Sequence, residues 1–182
     1  MKFASRAGDK LEFAIQTWKI DLKDLVCADL GCSTGGFVDC ELSHGAKKVY
    51  AVDTGYGVID WKLRNDPRVV VMERQNALHV SFPELMDFIS IDVSWTKQEL
   101  ILPKALSLVK KGGTIVSLLK PHYEANPAWL EKGRLKDEFV QTTIDSVVSV
   151  LRRLKVSVEG VVESPVLGEK GKNREFLLLV GG

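Results

Sequence analysis

The chain is short of several things, and each shortage closes off a class of protein. No stretch of the 182 residues approaches the 18 or more consecutive apolar residues of a membrane helix, and the first six residues do not run into the apolar core of a secretory signal. A soluble, cytoplasmic protein without a membrane partner is expected. Cysteine is scarce: Cys27, Cys32 and Cys40 all precede residue 41, with no C-x-x-C pair and no histidine cluster beside them. Neither a disulfide framework nor zinc is indicated, so no metal is expected and the thiols should be reduced and partly buried. Charge of one sign is lacking too. A net charge of +1 argues against a chain that coats nucleic acid by bulk electrostatics. Repeats, low-complexity tracts and interdomain linkers are also missing. The 45% hydrophobic content is therefore expected to build one domain over 1–182, residues 1–24 forming a helical segment at its start.

What is present is concentrated in one stretch. Residues 25–30 read as a buried strand that runs into Gly31-Cys32-Ser33-Thr34-Gly35-Gly36-Phe37, a glycine turn opening a helix. Without Cβ atoms at the glycines, backbone N–H groups and the helix N-terminus can approach a ligand closely. A second strand ends in Asp53, 24 residues after Asp29, where nucleotide-binding folds place the acid that holds ribose hydroxyls. The pattern departs from the dinucleotide fingerprint, because Asp29 precedes the turn and Ser33 stands at the second glycine position. A carboxylate there would repel a pyrophosphate but suits the ammonium of a methionine moiety. The expected cofactor is S-adenosylmethionine, bound by Asp29, Gly31, Cys32, Ser33, Thr34, Gly35, Gly36, Phe37 and Asp53, with Asn76 meeting the adenine and Asp92 facing the reactive end.

The rest of the chain alternates. Strands are predicted over 25–30, 48–53, 69–72, 86–92 and 113–119, and helices over 9–19, 36–43, 98–109 and 136–154. Such alternation calls for an α/β fold with a mostly parallel sheet and helices on both faces. Two final strands, 156–162 and 175–180, lie too close in sequence for a parallel crossover and should form an antiparallel edge, seven strands in all. Basic residues fall in local groups: Arg6 with Lys10, Lys47 with Lys48, Lys62 through Arg68, Lys132 through Lys136, Arg152 through Lys155, and Lys170 through Arg174. Each reads first as a solvated face, although such patches could hold an RNA backbone.

Ligands of open α/β sheets bind at the carboxyl ends of strands, and this topology brings Lys10, Asp92, Lys120 and Glu175 towards that edge. Two lysines with two carboxylates are neutral together, so they can share a partly desolvated pocket. The chemistry they suit is proton removal from a hydroxyl as it attacks a sulfonium methyl. A lysine with its ordinary pKa of about 10.4 is protonated at neutral pH, so burial or a second cation must help it act as base. Lys120 is assigned as base, Asp92 and Glu175 as its orienters, and Lys10 as the neighbouring cation or oxyanion stabiliser. Around them, Trp95, Tyr123 and Trp129 are candidates to stack on bases or pack the rim. The 121–132 stretch reads as a mobile substrate loop, and His122 as a polar loop residue rather than a second base.

At this point the sequence resembles the FtsJ-like RNA ribose 2′-O-methyltransferases, most closely their TlyA/hemolysin A branch. The resemblance rests on Ser5-Arg6-Ala7-Gly8-Asp9-Lys10-Leu11, the segment from Asp29 to Asp39, Ala51-Val52-Asp53-Thr54-Gly55-Tyr56-Gly57, Asp60-Trp61-Lys62-Leu63-Arg64, Ile91-Asp92-Val93-Ser94, Leu119-Lys120-Pro121 and Asn173-Arg174-Glu175-Phe176. The family's Lys-Asp-Lys-Glu tetrad falls on Lys10, Asp92, Lys120 and Glu175. The resemblance implies a Rossmann-like class I fold and methyl transfer from S-adenosylmethionine to a ribose 2′-hydroxyl, in that branch on ribosomal RNA or ribosomal subunits. Arg6, Tyr123 and Arg174 are the expected substrate contacts. Members of the branch usually carry an S4-type RNA-binding domain before the Ser-Arg segment, and Ala7 stands where the family often has glycine.

Competing chemistries leave other traces. Amine methylation commonly uses an Asp/Asn-Pro-Pro-aromatic turn, whereas Asp92 is followed by Val93-Ser94-Trp95; cytosine C5 methylation needs a cysteine near the fourth strand. A small-molecule O-methyltransferase and a non-catalytic cofactor or RNA binder are the alternatives kept, and no feature supports a membrane-lytic role.

Overall fold

The computed structural model describes residues 2–168 and 172–182. Aliphatic runs bounded by glycine, aspartate and asparagine turns form a seven-stranded sheet and the helices that cover it. In chain order these are α1 (Ala7–Trp18), β1 (Val26–Leu30), α2 (Gly36–Ser43), β2 (Lys48–Asp53), α3 (Trp61–Arg64), β3 (Val69–Glu73), β4 (Met86–Ile91), α4 (Gln98–Leu106) and β5 (Val109–Leu119). The one-turn helix α5 (Pro121–Glu124), a small hairpin of β6 (Leu130–Glu131) and β7 (Arg134–Leu135), α6 (Val140–Arg153), β8 (Val158–Glu163) and β9 (Phe176–Gly181) complete them.

The sheet order is β3-β2-β1-β4-β5-β9-β8. The first five strands are parallel; β9 runs antiparallel to β5 on one side and to β8 on the other. The final hairpin is thus inserted against β5, with β8 outermost. Antiparallel pairing of Leu119 with Phe176 sets the start of β9 beside the end of β5. That reversal carries Glu175 to Lys120.

A sheet covered on both faces needs apolar side chains on both, and the core is accordingly two layers. Ala28, Leu30, Ile89, Ile91 and Ile115 pack with Ile101 and Leu102 of α4 and Ile144 and Leu151 of α6. On the other face, Cys27, Phe88, Val116 and Leu118 meet Leu11, Ala14 and Ile15 of α1 and Phe37, Val38 and Cys40 of α2. The i, i+3, i+4 spacing of Leu11, Ala14 and Ile15 gives α1 its buried stripe. All three cysteines are free and buried, more completely than the sequence predicts, and burial pushes each thiol's pKa up.

Several boundaries differ from expectation. Helix α4 stops at Leu106 and β5 begins at Val109 rather than 113, because the chain extends straight through Lys110 and Lys111. Gly112 takes φ +78° and the β4–β5 register slips between Met86 and Phe88. Helix α6 starts at Val140, since Asp137–Phe139 forms a 3₁₀ turn. The 121–132 stretch carries structure of its own: α5, a 3₁₀ turn at Pro127–Trp129, and the β6–β7 hairpin. Asn173 clasps that hairpin, its amide donating to Gly133 O at 3.0 Å while its carbonyl accepts from Leu135 N at 3.0 Å. Among the described residues no helix is long and apolar enough to cross a membrane.

Candidate active site

Strand order reverses between β1 and β4, and the chain leaves both strands towards the crevice this creates. Gly31 has φ +95°, and a Cβ there would lie 2.5 Å from the Asp92 carbonyl oxygen, so only glycine lets the turn pass the end of β4. Gly31 N and Cys32 N both donate to Val52 O, at 2.9 and 3.0 Å. Ser33, held at φ 47°, donates its N–H to Asp53 Oδ2 at 2.9 Å, and Gly55 N donates to Asp53 Oδ1 at 2.7 Å. Asp53 thereby ties the glycine turn to the exit of β2. Asp60 N donates to Thr34 O at 3.0 Å, and the Asp60 side chain caps α3 through Lys62 N, so this short helix closes behind the turn. Ala7 is the first residue of α1 and keeps a negative φ, so the place of a common family glycine makes no demand that alanine fails.

A cavity of about 430 Å³ opens beside the turn, and Lys10, Asp92, Lys120 and Glu175 all line it. They form two ion pairs. Lys10 Nζ donates to Glu175 Oε2 at 2.6 Å with both side chains almost wholly buried, and Lys120 Nζ lies 2.5 Å from Asp92 Oδ1. Lys120 also donates to Val93 O at 3.3 Å. Four elements supply these groups: α1, the end of β4, the end of β5 and the start of β9.

The glycine-turn side of the cavity has a different electrical character. Asp29 lines it, is 1% exposed, and has neither carboxylate oxygen hydrogen-bonded. Burial, then the charges of Glu41, Asp92 and Asp53, push its pKa well above the usual carboxylate range, with the nearby Ser90 hydroxyl acting the other way. Glu41 of α2 is fully buried, and Ser90 Oγ donates to its Oε1 at 2.7 Å while its Oε2 has no partner. Burial pushes the Glu41 carboxyl up to about 8, with the Ser90 hydrogen bond acting the other way. Sequence reasoning missed Glu41 and Ser90; the signal available was a glutamate on the apolar side of α2.

The mouth is aromatic. Trp95 is 81% exposed, with its ring 4.6 Å from that of Tyr123, which lies 4.1 Å from the His122 ring. All three line the cavity, as does Arg6. Burial and the neighbouring Lys120 ammonium lower the His122 pKa to about 4, so its imidazole is neutral at neutral pH. Trp129 instead stacks flat on Phe139 at 4.6 Å and packs against the core beyond the cavity's lining, which removes it from the candidates.

Of the sequence-predicted residues, Asp29, Gly31, Cys32, Ser33, Thr34, Phe37, Asp92, Arg6 and Tyr123 line the cavity with the tetrad. Gly35 and Gly36 lie behind the turn, against Leu63 and Ser5. Asp53 braces the turn from outside the lining. Asn76 is exposed and uses its side-chain oxygen on Leu78 N at 2.9 Å. Arg174 points away, its guanidinium held by Glu163 through two bonds of 2.7 Å. Other basic groups are similarly engaged: Lys48 with Glu84, Arg64 with Glu73, Arg68 with Asp66 and Arg134 with Asp137. Lys170 lies outside the described residues. One group of possible metal ligands occurs among the described residues, Glu12, Cys40 and His44. These spend their atoms on one another, His44 Nε2 and Cys40 Sγ lying 2.7 and 3.8 Å from Glu12 Oε2.

A five-stranded parallel sheet with an antiparallel β9 inserted at its edge, and a glycine turn at the switch point, is the Rossmann-like class I methyltransferase fold. The sequence profile described as FtsJ-like methyltransferase matches residues 3–181, and the chain belongs to that family. It is 41% identical to the Bacillus subtilis protein YqxC over 98% of its own length, and spans 65% of that relative. It is 36% identical over 97% of its length to the Mycobacterium tuberculosis 16S/23S rRNA (cytidine-2'-O)-methyltransferase TlyA, covering 68% of that protein. A solved structure from Lactococcus lactis superposes with a TM-score of 0.93 at 38% identity, covering 100% of this chain and 89% of that one.

Proposed function

We propose that this chain transfers a methyl group from S-adenosylmethionine to a ribose 2′-hydroxyl of RNA, ribosomal RNA in the first place. The observation that carries the reading is the convergence of Lys10, Asp92, Lys120 and Glu175 in one cavity with the glycine turn. The name of the Mycobacterium tuberculosis relative, which specifies cytidine 2′-O-methylation of rRNA, supports the choice of substrate.

The residues fit the cofactor. Asp29 is buried with both oxygens outside any hydrogen bond among the described residues, and an ammonium group supplies both donor and positive charge. Gly31, Cys32, Ser33 and Thr34 bring backbone against its other polar groups, and Phe37 provides apolar wall. When bound, S-adenosylmethionine supplies a methyl group on a positively charged sulfur. Lys120, an ammonium in its pair with Asp92, first releases a proton to solvent; as the free amine its Nζ takes the proton of the attacking hydroxyl, and Asp92 holds the ammonium so restored. Lys10, fixed by Glu175, offers positive charge where the hydroxyl oxygen becomes negative. Arg6 at the rim supplies charge for a phosphate, and Trp95 and Tyr123 offer flat faces to a base. Asn76 and Arg174 would then act from outside the cavity, towards adenine and towards the RNA backbone.

The deciding experiment is transfer of labelled methyl to ribosomal subunits and to total RNA, with ribose methylation read as resistance to alkaline cleavage. Label on ribose that disappears in Lys120→Ala supports the reading; cofactor binding without label on any RNA would overturn it in favour of a small-molecule substrate or a binding role.

A further inference from the structure

Glu41 is a buried acid to which the proposed chemistry gives no task. Three carboxyl oxygens lie without partners behind the glycine turn: both of Asp29 and Oε2 of Glu41. Their placement is coordinated. Asp29 of β1 and Ser90 of β4 are register partners in parallel strands, so their side chains leave the same face of the sheet. It is the face covered by α2, and Glu41 descends from that helix to accept from Ser90 Oγ at 2.7 Å.

Among the described residues, the groups that act most strongly on Asp29 include no cation. Glu41, Asp92 from the end of β4 and Asp53 from the end of β2 are the charges that act most strongly on Asp29. The thiols of Cys27 in β1 and Cys40 in α2 feel Glu41, and the thiol of Cys32 feels Asp29. The nearby lysines of the cavity, Lys10 and Lys120, are committed to Glu175 and Asp92. Two ionised carboxylates in such a space repel one another, whereas one proton turns an unpartnered oxygen of one acid into a donor for an unpartnered oxygen of the other.

We propose that Glu41 is a positioning residue that keeps its proton. One of its oxygens accepts from Ser90; the other carries the proton and donates to Asp29, so that Asp29 becomes the one ionised carboxylate of the layer when the cofactor's ammonium binds to its remaining oxygen. The inference rests on the S-adenosylmethionine reading of the cavity. It makes Ser90 and Glu41 a relay of hydrogen bonds that orients Asp29, and it explains why a polar pair stands in an otherwise apolar layer.

Two measurements test it, and the first does not depend on the cofactor. In the ligand-free protein labelled with ¹³C at glutamate carboxyls, the Glu41 resonance, identified by its loss in Glu41→Gln, is expected at the shift of a protonated acid at pH 7. A carboxylate shift there would overturn the proposal. The second is calorimetric binding of S-adenosylmethionine at pH 7. Glu41→Gln, whose amide can accept from Ser90 and donate to Asp29, should bind within about twofold of the parent, whereas Glu41→Leu should bind about tenfold more weakly, the worth of one hydrogen bond to a charged group. Unchanged affinity in Glu41→Leu, or a Glu41→Gln variant as weak as Glu41→Leu, would remove the positioning role. A parent protein that shows the protonated resonance but does not bind S-adenosylmethionine would sink the cofactor reading and leave the shared proton standing.

Discussion

The two ends of one cavity handle buried charge in opposite ways. At the tetrad end, Lys10 with Glu175 and Lys120 with Asp92 are closed pairs within hydrogen-bonding distance. At the glycine-turn end, Asp29 and Glu41 are two acids with three unbonded oxygens between them. A closed pair of good geometry offsets its own desolvation, so the arrangement of these four residues is assembled by folding alone. The acid pair is left incomplete by the chain and is completed by a proton or a ligand cation. On the proposed function, the difference separates groups set in advance for chemistry from groups whose energy is reserved for binding.

Breaking the tetrad end should have the larger effects. Lys120→Ala is expected to lower turnover by about 10²- to 10⁴-fold, the usual worth of a positioned acid or base, with cofactor affinity preserved. Parallel methyl-transfer assays and binding titrations check this, and a matching fall in affinity would show the two ends to be one unit. Glu175→Gln leaves Lys10 buried beside a neutral amide and should destabilise the protein by about 3–5 kcal/mol in urea unfolding. Replacing Lys10 by Met in the same chain should recover most of that loss.

At the acid end the signs reverse. Asp29→Asn should weaken S-adenosylmethionine binding by about 1.5–3 kcal/mol, the range for a hydrogen bond to a charged group, while the ligand-free protein becomes no less stable at pH 8. The pH dependence follows from Glu41. Its folded pKa of about 8 lies above its ordinary 4.5, so between those values the folded chain holds a proton that the unfolded chain has lost. Its stabilising share is complete below about pH 4.5 and disappears as pH rises through about 8, and Asp29 shifts in the same direction. The melting temperature of the ligand-free protein should fall from pH 6 to pH 9, and Glu41→Gln should flatten that slope. The smallest effect belongs to Arg174→Ala: its surface pair with Glu163 is worth about 0–1 kcal/mol, so any larger change would have to appear in RNA binding alone.

Much of the site was legible because its residues sit at places where local grammar is strict. A strand that carries Asp29 and ends just before Gly31 can be read directly, since the left-handed backbone at Gly31 and the close approach of Asp92 O exclude other residues. The tetrad was legible from strand ends, because parallel strands deliver their carboxyl ends to one edge and an antiparallel β9 delivers its beginning there. The Asp29–Glu41–Ser90 cluster was not, as Glu41 lies on a helix whose facing strand could be known only after the sheet was ordered. The hairpin over 130–135 was hidden for a similar reason: two-residue strands carry no periodicity, and the clasp that holds them comes from Asn173, 38 residues away. Asp53 and Arg174 show the converse, residues whose type suits a ligand but whose side chains are also employed in bracing the turn and pairing Glu163.

The sequence by itself determined the seven strands of the main sheet, the glycine turn and the list of charged groups, because backbone conformation and side-chain chemistry are local properties. Which charges would meet, and with what consequence, was decided only in three dimensions. The insertion of β9 against β5 closed Lys10 onto Glu175, and the registry of β1 with β4 under α2 set Asp29 beside Ser90, to which Glu41 is hydrogen-bonded. Solvent screening makes such encounters nearly free on the surface, and its absence in the interior gives them their weight.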